Sequence, residues 1–188
     1  MLDSKKKLKE YIEIEKNIYE KLGYKGKLHA ILSQCQIGMI YAYIVSLRND
    51  EFYTNKQNKS VLDKVKLVYY HRKHNKLGIK LGLSIPVNTF GKGLVVYHSQ
   101  GIIVHRESRC GEYCKLHGMN CIGNNGSENK IDTNSTPMIG NNVDIGIGAS
   151  IIGPVKIADN VRVAAGAVVC KSCNDVGTVL KGVPAKSY

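Results

Sequence analysis

Aliphatic residues recur at every sixth position in the C-terminal half of this 188-residue chain. One series runs Ile139, Ile145, Ile151, Ile157, Val163 and Val169, and the same step links Val104, Cys110, Leu116 and Ile122, and earlier Ser84, Phe90 and Val96. A period of six indicates a parallel β-helix, in which each short strand points one side chain into the core. Single turns cannot bury that side chain alone, so the coils must stack. The repeat predicts a mainly β solenoid domain over residues 81–175.

The rest of the chain has a different texture. Helical spacing of apolar residues predicts three helices, over residues 5–22, 28–47 and 60–76. The polar stretch 49–60 is interpreted as a connection between the last two. We therefore expect an α-helical N-terminal segment over 1–80, the β-helix domain, and a C-terminal tail over 176–188.

Composition limits the classes of partner. An apolar fraction of 43% excludes a disordered chain, and most of the formal net charge of +12 falls in residues 1–80. That charge could meet nucleic acid, an anionic membrane or a phosphate-bearing ligand. No nucleic-acid recognition motif accompanies it, so we expect no nucleic acid partner. Residues 28–47 contain His29, Gln34 and Gln36, which favour a buried helix over a membrane span, and membrane association is not expected.

Cysteine usage gives a further expectation. The chain begins with a basic stretch and no apolar secretory segment, which predicts a cytoplasmic protein with reduced thiols. The spacings of Cys110 with Cys114 and of Cys170 with Cys173 are compatible with zinc ligands. Several of these cysteines fall on small or apolar positions of the repeat, which favours a structural role instead.

The repeat is interrupted twice, and interruptions of a rigid scaffold are where binding groups tend to lie. Eight residues instead of six separate Val96 from Val104, and an eleven-residue loop over 126–136 lies between Ile122 and Ile139. If three hexads make a coil, Val96, Leu116, Ile145 and Val163 form one column. His98 and His117 follow that column, roughly one coil apart. The other histidines are interpreted as structural or surface residues: His29, His71, His74 and His105. His98 and His117 are candidates for proton transfer, with outward surface positions as the alternative.

With these features in place, residues 81–188 resemble the left-handed β-helix O-acetyltransferases of the serine acetyltransferase-like branch, which includes capsule and polysaccharide O-acetyltransferases. The matching segments are SIPVNTFGKGLVVYHSQGIIVH, CKLHGMNCIGNNG, PMIGNNVDIGIGASIIGPVKIADNVRVAAGAVV and the closing GVPAK. The resemblance implies left-handed winding, a homotrimer, and acetyl-CoA bound in the groove between neighbouring β-helices.

The resemblance also implies roles for individual residues. His98 matches the catalytic base, which would take a proton from an acceptor hydroxyl as that oxygen attacks the thioester, and His117 is a second candidate, for acceptor positioning. The positions that match the CoA-binding turns and tail are Gly146, Ile147, Ala165, Gly166 and Lys186. This mechanism requires no metal.

The departures from the serine enzymes bear on the acceptor. Leu83 replaces the Asp that orients the base, Tyr97 replaces the acidic residue before it, and Ser135-Thr136 replaces an Arg-His pair in the loop. These changes remove charges that would bind a free amino acid, and an aromatic ring suits the apolar face of a sugar. We therefore expect an acetyl-CoA-dependent O-acetyltransferase acting on a sugar or polysaccharide precursor. The alternatives are a serine O-acetyltransferase of cysteine biosynthesis and a non-catalytic solenoid interaction protein.

Overall fold

The structure is a computed structural model that describes residues 2–126 and 135–187. The chain forms two compact units, which divide between Leu83 and Ser84. The first unit is helical and the second is built from short strands. The predicted eleven-residue loop falls mostly on residues 127–134, which lie outside the described residues.

Serine and glycine residues set the ends of the helices in the first unit. The four helices are α1 (Lys5–Lys21), α2 (Lys27–Ser33), α3 (Gln36–Asn55) and α4 (Val61–Leu81). The Ser4 side chain accepts the Lys7 N–H at the start of α1, and Ser60 forms a capping box with Asp63 at the start of α4. Helix α4 ends at Gly82, whose φ of 65° is a left-handed conformation that glycine adopts without steric cost. No helix in the described part of the chain is long and apolar enough to span a bilayer.

The predicted helix over 28–47 is wrong in its bounds, because the structure forms two helices there. Gln34, with a left-handed φ of 47°, separates α2 from α3. Helix α3 then continues to Asn55, so half of the predicted polar connection 49–60 is helical. Residues 48–51 have charged or amide side chains, which are typical of an exposed connection, yet all four are buried.

A buried ion cluster explains how α3 accommodates that polar stretch. Arg48 is fully buried; its Nε and Nη2 donate to Glu15 Oε1 of α1 at 2.9 and 2.7 Å, and its Nη1 donates to Glu51 Oε2 at 2.8 Å. Burial alone would lower the pKa of Arg48, but the charges of Glu15 and Glu51 outweigh it and hold that pKa above its ordinary value. The cluster therefore ties α1 to α3 through charge-assisted hydrogen bonds.

A second polar contact joins α3 to α4. Asp50 Oδ2 lies 3.1 Å from His71 Nδ1 and 3.0 Å from His74 Nδ1, and His74 Nε2 lies 3.1 Å from the Tyr43 hydroxyl. His74 is buried and His71 is exposed. Both histidines therefore contact Asp50 within the helical unit.

We expect Arg48→Ala to destabilise the helical unit by about 3–5 kcal/mol, because it leaves two buried carboxylates without their cation. Urea unfolding followed by far-UV circular dichroism measures this loss. Lys16→Ala, which removes a half-exposed pair with Glu20, is the matched control and should cost less than about 0.5 kcal/mol. Equal unfolding midpoints for Arg48→Ala and the control would contradict the assigned role of the cluster.

The second unit consists of short strands in three sheets. The strands are β1 (Leu83–Ser84), β2 (Val95–Val96), β3 (Ile102–Val104), β4 (Arg109–Cys110), β5 (Lys115–Leu116), β6 (Cys121–Gly123), β7 (Met138–Ile139), β8 (Asp144–Ile145), β9 (Ser150–Ile152), β10 (Lys156–Ile157), β11 (Arg162–Val163), β12 (Val168–Val169), β13 (Val179–Gly182) and β14 (Ala185–Ser187). The sheet orders are β1-β3-β6-β9-β12, β10-β7-β4 and β14-β13-β11-β8-β5-β2. From β2 to β13 the strands of successive coils pair in parallel, whereas β13 and β14 pair in antiparallel fashion. Both of these last strands fall within the tail predicted over 176–188.

The predicted column is confirmed by the strand register. Val96 pairs with Leu116, Leu116 with Ile145, and Ile145 with Val163, and all four side chains have no exposed surface. Three hexads therefore make one coil, as expected. The other two sheets supply two further buried columns: Val104, Ile122, Ile151 and Val169; and Cys110, Ile139, Ile157 and Cys173.

The first hexad departs from the prediction. Ser84 was expected to face inward, but it is exposed, and its neighbours Leu83 and Ile85 are buried instead. A hydroxyl at that position would lack a hydrogen-bond partner in an aliphatic core, so the apolar neighbours take its place. At the eight-residue interruption, Gln100 and Gly101 both adopt positive φ angles, of 85° and 71°, and so absorb the extra residues.

Three cysteines are buried in the core of the β-helix, namely Cys110, Cys114 and Cys173. Burial raises the pKa of the Cys110 thiol well above its ordinary value and that of Cys114 to about 11. The Cys114 thiol donates to the Gly140 carbonyl at 3.3 Å. Within residues 2–126 and 135–187, no group of three or more His, Cys, Asp or Glu side chains is arranged so that it could hold a metal ion.

We expect a thiol reagent at about pH 8 to label the exposed Cys170 in the folded protein and to leave Cys110 and Cys114 unmodified. The thiolate is the reactive form, and raised pKa values keep both buried thiols protonated at this pH. Peptide mapping by mass spectrometry before and after urea unfolding measures the labelling. Equal labelling of Cys114 and Cys170 in the folded protein would be inconsistent with the core assignment.

Candidate active site

The residues that follow four strands of the largest sheet stack into one corner of the β-helix. These segments are 97–101 after β2, 117–119 after β5, 146–148 after β8 and 164–166 after β11, and together we name them the histidine corner. The Tyr97 N–H donates to the Leu116 carbonyl at 2.9 Å, the His117 N–H to Ile145 at 3.1 Å, and the Gly146 N–H to Val163 at 2.8 Å. Because these bonds continue the ladder past the strand ends, residues of successive coils lie above one another.

His98 lies at the first coil of the histidine corner with its side chain exposed. The coil below it approaches closely at Gly118, where an added Cβ would be 3.3 Å from the His98 Cβ. Gly118 also has a φ of 110°, so the approach requires glycine. No described residue forms a hydrogen bond with the His98 ring, and Leu83, at the position of the expected orienting carboxylate, is a buried apolar side chain.

His117 is held from two directions. Its Nε2 lies 2.8 Å from Oδ1 of Asp144, the outward residue of β8, and the ring of Tyr97 lies over it with centroids 4.5 Å apart and planes at 30°. The His117 and Asp144 side chains are about one-third exposed, at 36% and 30%. The pair is therefore accessible to a ligand and fixed in orientation.

Sequence reasoning missed both Asp144 and a second polar residue, Asn120. Asn120 is buried; its Nδ2 donates to the Gly146 carbonyl at 2.7 Å and its Oδ1 accepts the Gly118 N–H at 3.0 Å. It therefore joins two coils of the histidine corner. The signal for Asp144 was its place beside Ile145, which puts it one coil from His117 once the loop is counted as an excursion.

The four turn residues predicted to contact CoA lie on the same corner, on the next two coils. The Gly166 N–H donates to the Ile147 carbonyl at 2.9 Å, which links the two turns directly. Ile147, Ala165 and Gly166 are exposed. The amides of Ile147 and Ala165 donate to no other described residue, so both N–H groups are available to a ligand.

Gly146 and Lys186 complete the predicted set. An added Cβ on Gly146 would be 2.6 Å from the Ala165 amide nitrogen, so only glycine lets the two turns approach this closely. Lys186 lies on β14, opposite Lys181 of β13, and β13 continues the same sheet beyond β11. The structure thus brings the two histidines and the two turns onto one corner and places Lys186 at the end of the same sheet.

Parts of the chain are similar to known proteins. Residues 136–171 match the bacterial transferase hexapeptide (six repeats) family. A serine acetyltransferase from Synechococcus elongatus is 30% identical over 101 residues, which are 54% of this chain and 40% of that protein. One from Helicobacter pylori is 28% identical over 102 residues, 54% of this chain and 57% of that protein. The chain spans about half the length of the curated relatives that it matches.

Solved structures resemble most of the chain. The Neisseria gonorrhoeae serine acetyltransferase in complex with serine is 25% identical with a TM-score of 0.69, over 98% of this chain and 70% of that chain. A serine acetyltransferase in complex with CoA is 16% identical with a TM-score of 0.63, over 98% of this chain and 71% of that chain. These likenesses confirm the predicted fold class, a left-handed parallel β-helix with an α-helical N-terminal segment.

We expect Gly146→Ala to destabilise the β-helix by about 1–3 kcal/mol, because the new methyl group meets backbone atoms that cannot move aside. The free energy of unfolding in urea measures this. Gly123→Ala is the matched control, since an added Cβ there meets nothing within 4 Å, and its effect should stay within about 0.5 kcal/mol. A Gly146→Ala protein as stable as the control would contradict the close packing of the two turns.

Proposed function

We propose that this hexapeptide-repeat protein, a relative of the serine acetyltransferases, is an O-acetyltransferase that moves an acetyl group from acetyl-CoA to an acceptor hydroxyl. The observation that carries the proposal is the histidine corner, where an exposed His98 and the fixed His117 lie in line with two turns that offer free N–H groups. A scaffold without catalytic function gains nothing from this arrangement. The reaction is placed in the cytoplasm, where acetyl-CoA is available.

The chemistry assigned to His98 is general-base catalysis. Its neutral ring takes the proton of the acceptor hydroxyl as that oxygen attacks the thioester carbonyl. The tetrahedral intermediate then collapses, the carbon–sulfur bond breaks, and the CoA thiolate takes the proton back from the His98 imidazolium. A backbone N–H group of the corner other than those that bind CoA would be suited to stabilising the oxyanion, because its dipole is fixed before the reaction.

The CoA site follows from the two turns and the end of the sheet. The amides of Ile147 and Ala165 can donate to the amide oxygens of the pantetheine arm, which would run along the turns past Gly146 and Gly166. Lys186 and its register partner Lys181 carry positive charges that suit the phosphate groups of CoA. The relative solved with CoA supports binding on this fold. A homotrimer, with CoA between neighbouring copies, belongs to the same proposal.

L-serine is the acceptor that the comparisons support better than a sugar. The named relatives are serine acetyltransferases, and one neighbour was solved with serine. Sequence reasoning favoured a sugar because Leu83, Tyr97 and Ser135-Thr136 replace charged residues. The structure adds a carboxylate that this reasoning had not counted, since Asp144 lies partly exposed beside His117, so the corner is not without negative charge.

A sugar hydroxyl remains the second candidate because of one observation. The Tyr97 ring stacks on His117 beside the base, and aromatic rings commonly pack against the apolar faces of sugars. An enzyme for sugars would use this platform in place of a charged clamp.

We expect His98→Asn to lower kcat by about 10²–10⁴-fold, because it removes the base while leaving the solenoid core intact. CoA release should be followed by liquid chromatography, since the exposed Cys170 thiol would react with a thiol dye. His105→Asn, on the same unit but outside the histidine corner, is the control and should retain wild-type activity. Wild-type rates in His98→Asn would overturn the assignment of the base.

The acceptor is decided by kcat/KM for L-serine measured beside a panel of monosaccharides and oligosaccharides. We expect acetyl-CoA-dependent product with L-serine at a kcat/KM at least about tenfold above that of any sugar, a difference of about 1.4 kcal/mol in transition-state binding. A higher value for a sugar would establish the second candidate instead. No acetyl transfer to any hydroxyl, together with no stabilisation by CoA, would favour a non-catalytic interaction protein.

A further inference from the structure

The hydrogen bond between His117 and Asp144 fixes which nitrogen of the imidazole carries a proton. A carboxylate accepts hydrogen bonds and cannot donate them. Nε2, 2.8 Å from Asp144 Oδ1, must therefore carry the hydrogen. In the neutral ring the other nitrogen, Nδ1, is then left with a lone pair and can only accept.

Asp144 lies between two basic residues in the sheet. Its register partners on the two neighbouring strands are Lys115 and Arg162. The Lys115 ammonium donates to Asn142 Oδ1 at 3.1 Å. The described hydrogen-bond partner of Asp144 is therefore His117 and not Lys115, and we treat the two side chains as a hydrogen-bonded pair.

The two histidines of the corner differ in the contacts that hold their rings. His98 is exposed and forms no hydrogen bond with a described residue, whereas His117 is held at its edge by Asp144 and on its face by Tyr97. A fixed ring with a known acceptor nitrogen suits substrate orientation, while a freer ring can move with the proton that it transfers. His117 also lies on the coil between His98 and the turns proposed to bind CoA.

We propose that Asp144 is a positioning residue, which holds His117 in the Nε2–H tautomer so that His117 Nδ1 accepts a hydrogen bond from the acceptor molecule. The donor on the acceptor is an N–H or O–H group other than the hydroxyl that is acetylated. This inference rests on the proposed acetyl transfer, and it adds a residue that neither the sequence pattern nor the resemblance assigned. The two histidines then have different roles: His98 transfers the proton, and His117 binds the acceptor molecule.

The test combines nuclear magnetic resonance with kinetics on the full chain. Two-dimensional ¹⁵N–¹H spectra of histidine-labelled protein report the tautomer of His117 without any need for activity. We expect Nε2–H in the wild type. In Asp144→Asn, whose amide can donate to Nε2, we expect a shift toward Nδ1–H. Asp144→Glu, which keeps the carboxylate, should restore the Nε2–H form at least in part.

The kinetic arm separates binding of the acceptor from binding of CoA. We expect Asp144→Asn to raise KM for the acceptor about tenfold, the usual worth of one such hydrogen bond, and to change KM for acetyl-CoA less than about twofold. The double variant Asp144→Asn with His117→Ala should be no worse than His117→Ala alone, because Asp144 acts through His117. Asp159→Asn is the matched control: Asp159 accepts from Asn141 at the corner after β10 and should leave both KM values unchanged.

The outcomes distinguish this inference from the proposed function. An Nδ1–H tautomer in the wild type, or an active Asp144→Asn enzyme with unchanged KM for the acceptor, would overturn the positioning role and leave acetyl transfer standing. A wild type with the Nε2–H tautomer but no acetyl transfer to any hydroxyl would instead overturn the proposed function, and the acceptor role with it.

Discussion

The stacking of one buried aliphatic side chain on the next, coil after coil, is the constraint on which the β-helix depends. Val96, Leu116, Ile145 and Val163 have no exposed surface, and each pairs with its neighbour through the parallel ladder. Full burial of one such side chain is worth about 1.5–3 kcal/mol, which a two-residue strand could not gain alone. Because register is fixed by these contacts, the residues just outside each strand are fixed as well.

The histidine corner is a consequence of that register. Residues far apart in the chain, such as Tyr97, His117 and Asp144, meet because each lies next to a member of the same column. Close approach between coils depends on Gly118 and Gly146, where a side chain would collide with the coil alongside. The buried amide of Asn120 then accepts the Gly118 N–H and donates to the Gly146 carbonyl, which joins two coils of the corner. The proposed function therefore requires little beyond the repeat and a few substitutions at its outward positions.

The same features explain how much the sequence could predict. The six-residue period is local, so the coil, the column and the common position of His98 and His117 could be inferred from spacing alone. The same register puts Asp144, beside Ile145, one coil from His117, but spacing alone does not show that the two outward side chains meet in a hydrogen bond. The helical unit was harder to predict, because the polar residues 48–51 are typical of a loop. Only the structure shows that their partners, Glu15 above all, let them be buried in a helix. The prediction that Ser84 faces the core was wrong because the six-residue period was extended onto a residue whose hydroxyl does not suit an aliphatic core.

The proposed function depends most on the binding of CoA along the turns of the histidine corner. Amide hydrogen exchange with and without CoA tests this directly, because the N–H groups of Ile147 and Ala165 donate to no residue within the described part of the chain. CoA should slow exchange at residues 146–148 and 164–166, and leave residues 158–160, at the corner after β10, as an unaffected internal control. Protection confined to the helical unit, or no protection at either turn at saturating CoA, would contradict the account.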